Sequence, residues 1–243
     1  MQEAIYRILE NKPLNATIFL MRLAGDTTAL TRPGQFVNIQ IDGLYLRRPI
    51  SVADYNAGEI TLIYRTVGEG TRRMSEMAEG EELNLLVGLG NGYDTEKAGD
   101  APLLVGGGVG VPPLYNLCRK LCEEGRRVRV LLGFRSADDV FYEDEFRALG
   151  ASVTVVTEDG SRGERGFVTD AMQSGYTYVY ACGPEPMLKA VATRSESSGQ
   201  FSFEERMGCG FGACMGCTCK TKYGNKRICK DGPVLVKEEI IWD

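Results

Sequence analysis

The sequence predicts a multi-domain β + α/β protein: an antiparallel β-barrel, then a doubly wound parallel sheet, then a small cysteine-rich C-terminal domain. Three observations predict it. The first hundred residues alternate apolar and polar in the strand manner between Gly, Asp and Asn turns. From about residue 101 the rhythm becomes strand, glycine loop, helix. The last forty residues carry "ERMGCGFGACMGCTCKT", with four cysteines among glycines.

The barrel strands are expected at "FVNIQI" (36–41), "RRPISVAD" from 47, "EITLIYRTV" from 59 and "EELNLLVGLG" from 81. A short helix is expected to start at Thr71, whose hydroxyl would cap "RRMSEM" after the turn "GEG". In the second region "APLLVGG" runs into the helical "GVGVPPLYNLCRKLCEEG". There follow "RVRVLLGF", a helix around "YEDEFRALG", and the strands "SVTVVTED" and "YTYVYACGP". The Ser-rich stretch 195–200 reads as a linker, which divides the chain into 1–98, 99–195 and 196–243.

Composition narrows the function. A net charge of −5 and a pI near 5.1 give no basic face for nucleic acid or for an acidic membrane. The N-terminus has no leader pattern, and no run approaches roughly eighteen apolar residues, so a cytoplasmic protein is expected. Eight cysteines in such a chain point to metal or redox chemistry rather than to disulfides. Histidine is absent, which excludes hydrolysis by Ser-His-Asp or Cys-His arrangements.

Cys209, Cys214 and Cys217 fall at C-x4-C-x2-C, and Cys229 follows after eleven intervening residues. This is the plant-type ferredoxin spacing for a [2Fe-2S] cluster held by four thiolates. A loop around a cluster must turn tightly and aim N–H groups at sulfur, which Gly208, Gly210, Gly212, Ala213 and Gly216 permit. A structural zinc site is the alternative, although zinc ribbons offer two C-x2-C pairs and only one is present here. A Rieske centre needs two histidines and is excluded. Cys219, two residues past Cys217, projects to the other side of an extended segment and is left out of the ligand set. Cys118 and Cys122, at i and i+4 on a helix, read as small buried hydrophobes.

In "LLVGGGVGVPPLYNL" a buried strand runs through Gly108 and Gly110 into a helix, the arrangement that receives a pyrophosphate. Pro113 stands where the dinucleotide fingerprint has its third glycine. "YACGPEPML" is a second strand end, at Cys182, turned by Gly183 and Pro184, and in a parallel sheet both ends line one crevice. Arg135 in "LLGFRS" would suit a 2′-phosphate, so the residues leave NAD against NADP undecided. Because a nicotinamide gives two electrons as hydride and the cluster accepts one at a time, a flavin is expected between them. The barrel offers it Arg48 and Ser51 from "RRPISV", and Arg65 with the Gly70-Thr71 turn from "YRTVGEGT".

These segments, "RRPIS", "GEGT", "VGGGVGVPPL", "CGPEPM" and "ERMGCGFGACMGC…ICKDGPV", occur in the order found in the ferredoxin-reductase-like flavoproteins. The whole chain resembles that family, and the tail is similar to that of its dihydroorotate dehydrogenase B electron-transfer subunits. The resemblance implies a flavin-binding barrel with FAD, a nucleotide domain favouring NAD, and a [2Fe-2S] domain. It implies FAD contacts at Arg48, Pro49, Ile50, Ser51, Ile63, Tyr64, Arg65, Gly70 and Thr71, and cluster ligation by Cys209, Cys214, Cys217 and Cys229. It also implies an FMN-containing catalytic subunit as partner, two copies of each, with electrons running from dihydroorotate to NAD+ in pyrimidine (UMP) biosynthesis.

No catalytic residue for a carbon substrate is assigned, since the chain lacks the eight-fold strand–helix series of a barrel enzyme. Related NAD(P)H–ferredoxin reductases and hydrogenase-associated flavoprotein subunits share the three-part layout and form the alternative. A redox sensor and a zinc-stabilised domain are the readings from other classes. Lys220, Lys222, Lys226, Arg227 and Lys230 read first as a solvated hairpin, and second as a docking face for an acidic partner. Trp242 would either cover a cofactor or anchor the terminus.

Overall fold

The structure, a computed structural model, describes residues 1–242, so the last residue of the third region lies outside it. Six strands close the barrel: β1 (Gln2–Pro13), β2 (Ile18–Ala24), β3 (Phe36–Ile39), β4 (Arg48–Asn56), β5 (Glu59–Arg65) and, after helix α1 (Glu69–Glu76), β6 (Glu82–Leu89). Their order around the barrel is β1-β2-β5-β4-β3-β6, antiparallel throughout. Strict alternation in β6 sends Leu83, Leu85 and Val87 into the interior, where Val37, Ile39, Ile60 and Leu62 meet them. Phe36 and Asn38 therefore face outward on β3, beside their cross-strand partners Ser51 and Pro49 on β4.

Strands β1 and β2 were not among the four segments expected. β1 carries charge at four of its twelve positions and buries only Tyr6 and Ile8, so its apolar signal is thin. Helix α1 begins two residues earlier than expected, and Thr71 is its third residue rather than its cap. The Thr71 hydroxyl reaches back to accept from the amides of Val67 (2.9 Å) and Gly68 (3.2 Å), satisfying donors ahead of the helix. Met74 then packs into the barrel core.

The second sheet is built from β7 (Leu103–Gly107), β8 (Arg129–Phe134), β9 (Ser152–Thr157), the two-residue β10 (Glu164–Arg165) and β11 (Val179–Cys182). Helices α2 (Pro112–Glu123), α3 (Glu143–Ala148) and α4 (Glu185–Arg194) connect them. Leu104, Val130, Leu132 and Tyr180 face α2 and α3, whereas Leu103, Val105, Leu131 and Val179 face α4, so the parallel sheet is covered on both sides as expected.

The 195–200 stretch is not a linker. Residues Gly199–Ser202 form β12, fully buried and parallel to β11. Gly199 allows that approach, since a Cβ there would lie 2.5 Å from the Val179 side chain and 2.6 Å from its carbonyl oxygen. The chain then leaves the sheet, forms the cysteine loop, the hairpin β13 (Thr218–Thr221) and β14 (Gly224–Arg227) and the short helix α5 (Ile228–Asp231), and returns as β15 (Val234–Val236), antiparallel to β12. The final sheet order is β10-β9-β8-β7-β11-β12-β15. A four-residue strand with a Ser-rich lead-in carries almost no pattern, which is why it reads as polar coil.

Barrel and sheet are clamped together. Asp54 Oδ1 on β4 accepts from Asn116 Nδ2 (2.6 Å) and from Arg119 Nε (3.1 Å) and Nη2 (2.8 Å) on α2, and Arg119 also donates to the Tyr55 carbonyl (2.9 Å). This charge-assisted fork fixes how the two units face each other.

Candidate redox site

The four spaced cysteines meet as two pairs. Cys209 Sγ accepts from the amides of Ala213 (3.2 Å) and Cys214 (3.4 Å), while Cys214 Sγ accepts from those of Cys209 (3.4 Å) and Gly216 (3.5 Å). Cys217 Sγ accepts from the Cys229 amide (3.4 Å). The first pair lies at the surface, with Cys214 exposed; the second is buried against Ile228 and Leu235. Among the described residues no three such side chains close to the size of a single-ion site. Two thiol pairs rather than one tetrahedron is what a two-iron cluster takes.

The loop is also prepared for thiolate. Burial pushes the Cys209 thiol up, but the N–H groups of Cys214, Phe211 and Ala213, with the Cys214 side chain, outweigh it and hold it at about 6. Cys229 goes the other way, raised to about 12 by burial and by the neighbouring Cys217 sulfur. Such mutual repulsion is what a bound cation relieves. The residues thus fit the cluster in donor type and grouping. Gly210 (φ 79°) packs so close to the Asn38 amide that a Cβ would stand 2.3 Å from Nδ2.

Cys219 lies on β13, half-buried, with its thiol raised by burial. Replacing Cys219 with Ser is expected to leave iron and sulfide content unchanged; loss of iron would place it in the ligand set. Of the basic residues around the hairpin, Lys226 pairs with Glu239 (2.5 Å), Arg227 with Asp231 (3.0 Å), and Lys222 bonds the Glu238 carbonyl (2.8 Å). Those charges hold the lobe together, while Lys220 and Lys230 remain exposed.

On the barrel, the two arginines of "RRPIS" separate by role. Arg47 is anchored to Glu3 (2.8 Å), Gln40 (3.1 Å) and Asn84 Oδ1 (2.7 Å). Arg48 makes no ion pair among the described residues; it bonds the Leu46 carbonyl and lies against Gly70, where a Cβ would stand 2.3 Å from its Nε. So Arg48 and the Gly70-Thr71 turn, distant in sequence, form one cationic cradle. Arg65 at the end of β5 reaches Gly108, where a Cβ would be 3.5 Å from Nη2, and its buried Nε has no partner. A guanidinium with an unmatched buried donor calls for an anion, and the phosphates of a flavin dinucleotide are of the chemistry that would match it. Tyr64, by contrast, turns into the barrel, its hydroxyl on Asn11 (3.1 Å) and its ring stacked on Phe19. Ile63 packs toward the nucleotide domain and Ile50 toward the barrel core.

The nucleotide loop is assembled by close approach. A Cβ on Gly110 would fall 2.2 Å from the Cys182 carbonyl oxygen and 2.5 Å from the Gly183 amide, so the two strand ends read separately in the sequence touch here. Gly107 packs in the same way against Met187 and Pro184. The start of α2 offers a pyrophosphate less than expected. Pro112 and Pro113 carry no N–H, and the amides of Val111 and Leu114 already bond the carbonyls of Gly108 and Val111, both at 3.1 Å. Burial pushes the Cys182 thiol up to about 12, leaving it a neutral side chain at the crevice. Arg135 is ion-paired with Asp139 (3.1 Å). Trp242 packs on Phe201 and Phe203 at 6.2 and 5.9 Å, anchoring the terminus.

Residues 204–241 match the family model described as the iron-sulfur cluster binding domain of dihydroorotate dehydrogenase B, and 104–193 match an oxidoreductase NAD-binding domain. The chain is 44% identical, over 95% of both sequences, to the dihydroorotate dehydrogenase B (NAD(+)) electron transfer subunit of Lysinibacillus sphaericus (strain C3-41). It is also 44% identical, over 99% of both, to that of Bacillus velezensis. The chain belongs to this family of electron-transfer subunits. As a member it is an oxidoreductase subunit whose name implies a separate catalytic partner. Among solved structures, an NADH-dependent reduced ferredoxin-NADP oxidoreductase superposes with a TM-score of 0.89 at 29% identity, covering 98% of this chain and 90% of that one. A Neisseria gonorrhoeae ferredoxin NADP+ reductase with bound FAD and NADP shares the fold, with a TM-score of 0.70 at 14% identity over 80% of this chain and 90% of that one. No helix among the described residues is long and apolar enough to cross a membrane.

Proposed function

We propose that this chain is the electron-transfer subunit of an NAD-dependent dihydroorotate dehydrogenase, carrying electrons from the FMN of a catalytic subunit through a [2Fe-2S] cluster and FAD to NAD+ in pyrimidine synthesis. One observation carries the reading. The outer barrel face touches the cysteine loop on one side, Asn38 to Cys209, and the nucleotide loop on the other, Arg65 to Gly108. The middle member of a relay has to occupy that place.

In this reading Arg48, Pro49, Ile50, Ser51, Arg65, Gly70 and Thr71 hold FAD by side chain or backbone, with Ile63 and Tyr64 shaping β5 beneath it. Bound FAD supplies the conversion between the two-electron nicotinamide and the one-electron cluster. Gly108, Gly110, Cys182, Gly183 and Pro184 shape the nicotinamide crevice, and Cys209, Cys214, Cys217 and Cys229 hold the cluster. Asp139 beside Arg135 places negative charge where a 2′-phosphate would lie, which favours NAD over NADP. The functional regions follow 1–98, 99–195 and 196–243, with β12 and β15 of the third completing the sheet of the second. The exposed rim of Phe211, Cys214 and Met215 gives the catalytic subunit access to the cluster, in a cytoplasmic assembly of two copies of each chain.

Replacing Arg48 with Ala is expected to weaken FAD binding by roughly 1.5 to 3 kcal/mol, the usual cost of a charge-assisted contact. Flavin retention on dilution and gel filtration measures it, and undiminished retention would remove Arg48 from the site. The function itself is tested by mixing. Dihydroorotate-dependent reduction of NAD+ should require both this chain and an FMN-containing barrel partner, and a reconstituted pair that leaves dihydroorotate untouched would refute it.

A further inference from the structure

We propose that Asn38 is a positioning residue for electron transfer between the flavin and the cluster, binding the cluster loop with one end of its amide and the bound flavin with the other. The proposal rests on the functional reading above and goes beyond it, since it assigns a residue outside every motif.

Asn38 is 1% exposed, an uncommon place for a primary amide, and it lies on the outer face of the barrel. Cross-strand pairing sets it beside Pro49, with Phe36 beside Ser51, so it borders the strand proposed to carry FAD. Its Nδ2 donates to the Cys209 carbonyl at 3.2 Å across 171 residues of sequence. Gly210 has no side chain where that amide packs. The backbone carbonyl of Asn38 is meanwhile held by Arg47 Nη1 (3.3 Å), itself anchored to Asn84, which keeps the strand in place.

The amide orientation is fixed, because only the NH2 end can donate to a carbonyl. That leaves Oδ1 as the other end of the amide, and it is buried and has no partner. An unmatched buried acceptor costs more than a hydrogen bond returns, so such a group marks a missing donor. The donor that belongs on this face is an N–H of the flavin ring system. Asn38 would thus set the separation of the flavin and the first cluster ligand through a single rigid side chain.

Two variants separate the ends. Asn38→Asp keeps an acceptor and removes the donor to Cys209; Asn38→Leu removes both at nearly constant volume. Each is purified anaerobically beside the wild type and assayed for iron, sulfide and flavin, for the electron paramagnetic resonance spectrum of the reduced cluster, and by stopped flow with NADH. NADH would be the two-electron donor in this assay, and bound FAD would supply the conversion to single-electron transfer that cluster bleaching reads. Both variants are expected to slow cluster bleaching about tenfold and shift the cluster resonance, with flavin bleaching by NADH changed less than about twofold. Only Asn38→Leu is expected also to loosen FAD about tenfold. Wild-type cluster kinetics, resonance and FAD retention in Asn38→Leu would overturn the proposal, as would equal slowing of flavin and cluster bleaching in both variants. A variant that fails to fold is replaced in the comparison by the other, whose cluster rate decides. If the wild type itself carries neither flavin nor cluster, the functional reading has failed, and that outcome is read before any variant.

Discussion

Cys214→Ser is expected to abolish the [2Fe-2S] cluster while leaving FAD bound and the fold intact. Cys214 is exposed and its sulfur is met by the amides of Cys209 and Gly216, so the change removes one ligand without opening a cavity. A serine hydroxyl, unlike a thiol, does not ionise near neutral pH and is a poor match for iron, so affinity collapses instead of declining gradually. Visible absorbance should keep the flavin bands and lose the broad cluster contribution, and iron should fall to background. NADH should still reduce the flavin, and an artificial acceptor that takes electrons from the flavin should still be reduced. Transfer to the catalytic partner should cease. A fully loaded cluster in this variant would show that the ligand set is wrong.

Gly110→Ala is expected to uncouple NADH from an otherwise loaded protein. The added methyl would meet backbone atoms, the Cys182 carbonyl at 2.2 Å and the Gly183 amide at 2.5 Å, and neither can swing aside as a side-chain tip does. The loop after β7 and the loop after β11 must therefore part. Overpacking of this kind costs about 1 to 3 kcal/mol of stability. The functional cost is larger, because displacing a hydride donor by about 1 Å lowers rate on the order of a hundredfold. Reduction of the flavin by NADH should drop by that factor, while chemical reduction of flavin and cluster and their stoichiometry stay at wild-type values. An unchanged rate with NADH would mean that this contact does not shape the nicotinamide site.

The parts legible in the sequence are those whose chemistry forces a spacing. Thiols that share a cluster recur at characteristic intervals, so Cys209, Cys214, Cys217 and Cys229 stand out as the proposed ligands, and the structure draws them into two pairs. The parallel sheet is legible because β7 and β8 are largely apolar runs and helical segments alternate with the strands. Short or heavily charged strands are not. β12 has four residues behind a serine run, and β1 is amphipathic in a way that its charges obscure. Contacts between units leave no local trace at all: Asn38 meets Cys209 from 171 residues away, and Asp54 meets Arg119 from 65. Within "RRPIS" the sequence names Arg48, and the fold adds a contrast that composition does not carry, since Arg47 is tethered to Asn84 while Arg48 bonds only the Leu46 carbonyl.

The start of α2 shows a subtler limit. The glycine loop predicts a pyrophosphate seat from its resemblance to the dinucleotide fingerprint, but two prolines remove the donors such a seat needs. What the glycines supply is proximity between Gly110 and Cys182, a role that spacing alone does not distinguish.

The relay depends on this one chain holding both kinds of redox centre at once. Anaerobic purification followed by quantification of iron, acid-labile sulfide, zinc and flavin tests that most directly. One FAD with two irons and two sulfides per chain is expected, with bleaching of both chromophores on addition of NADH. A colourless protein containing zinc, with neither flavin nor sulfide, would contradict it.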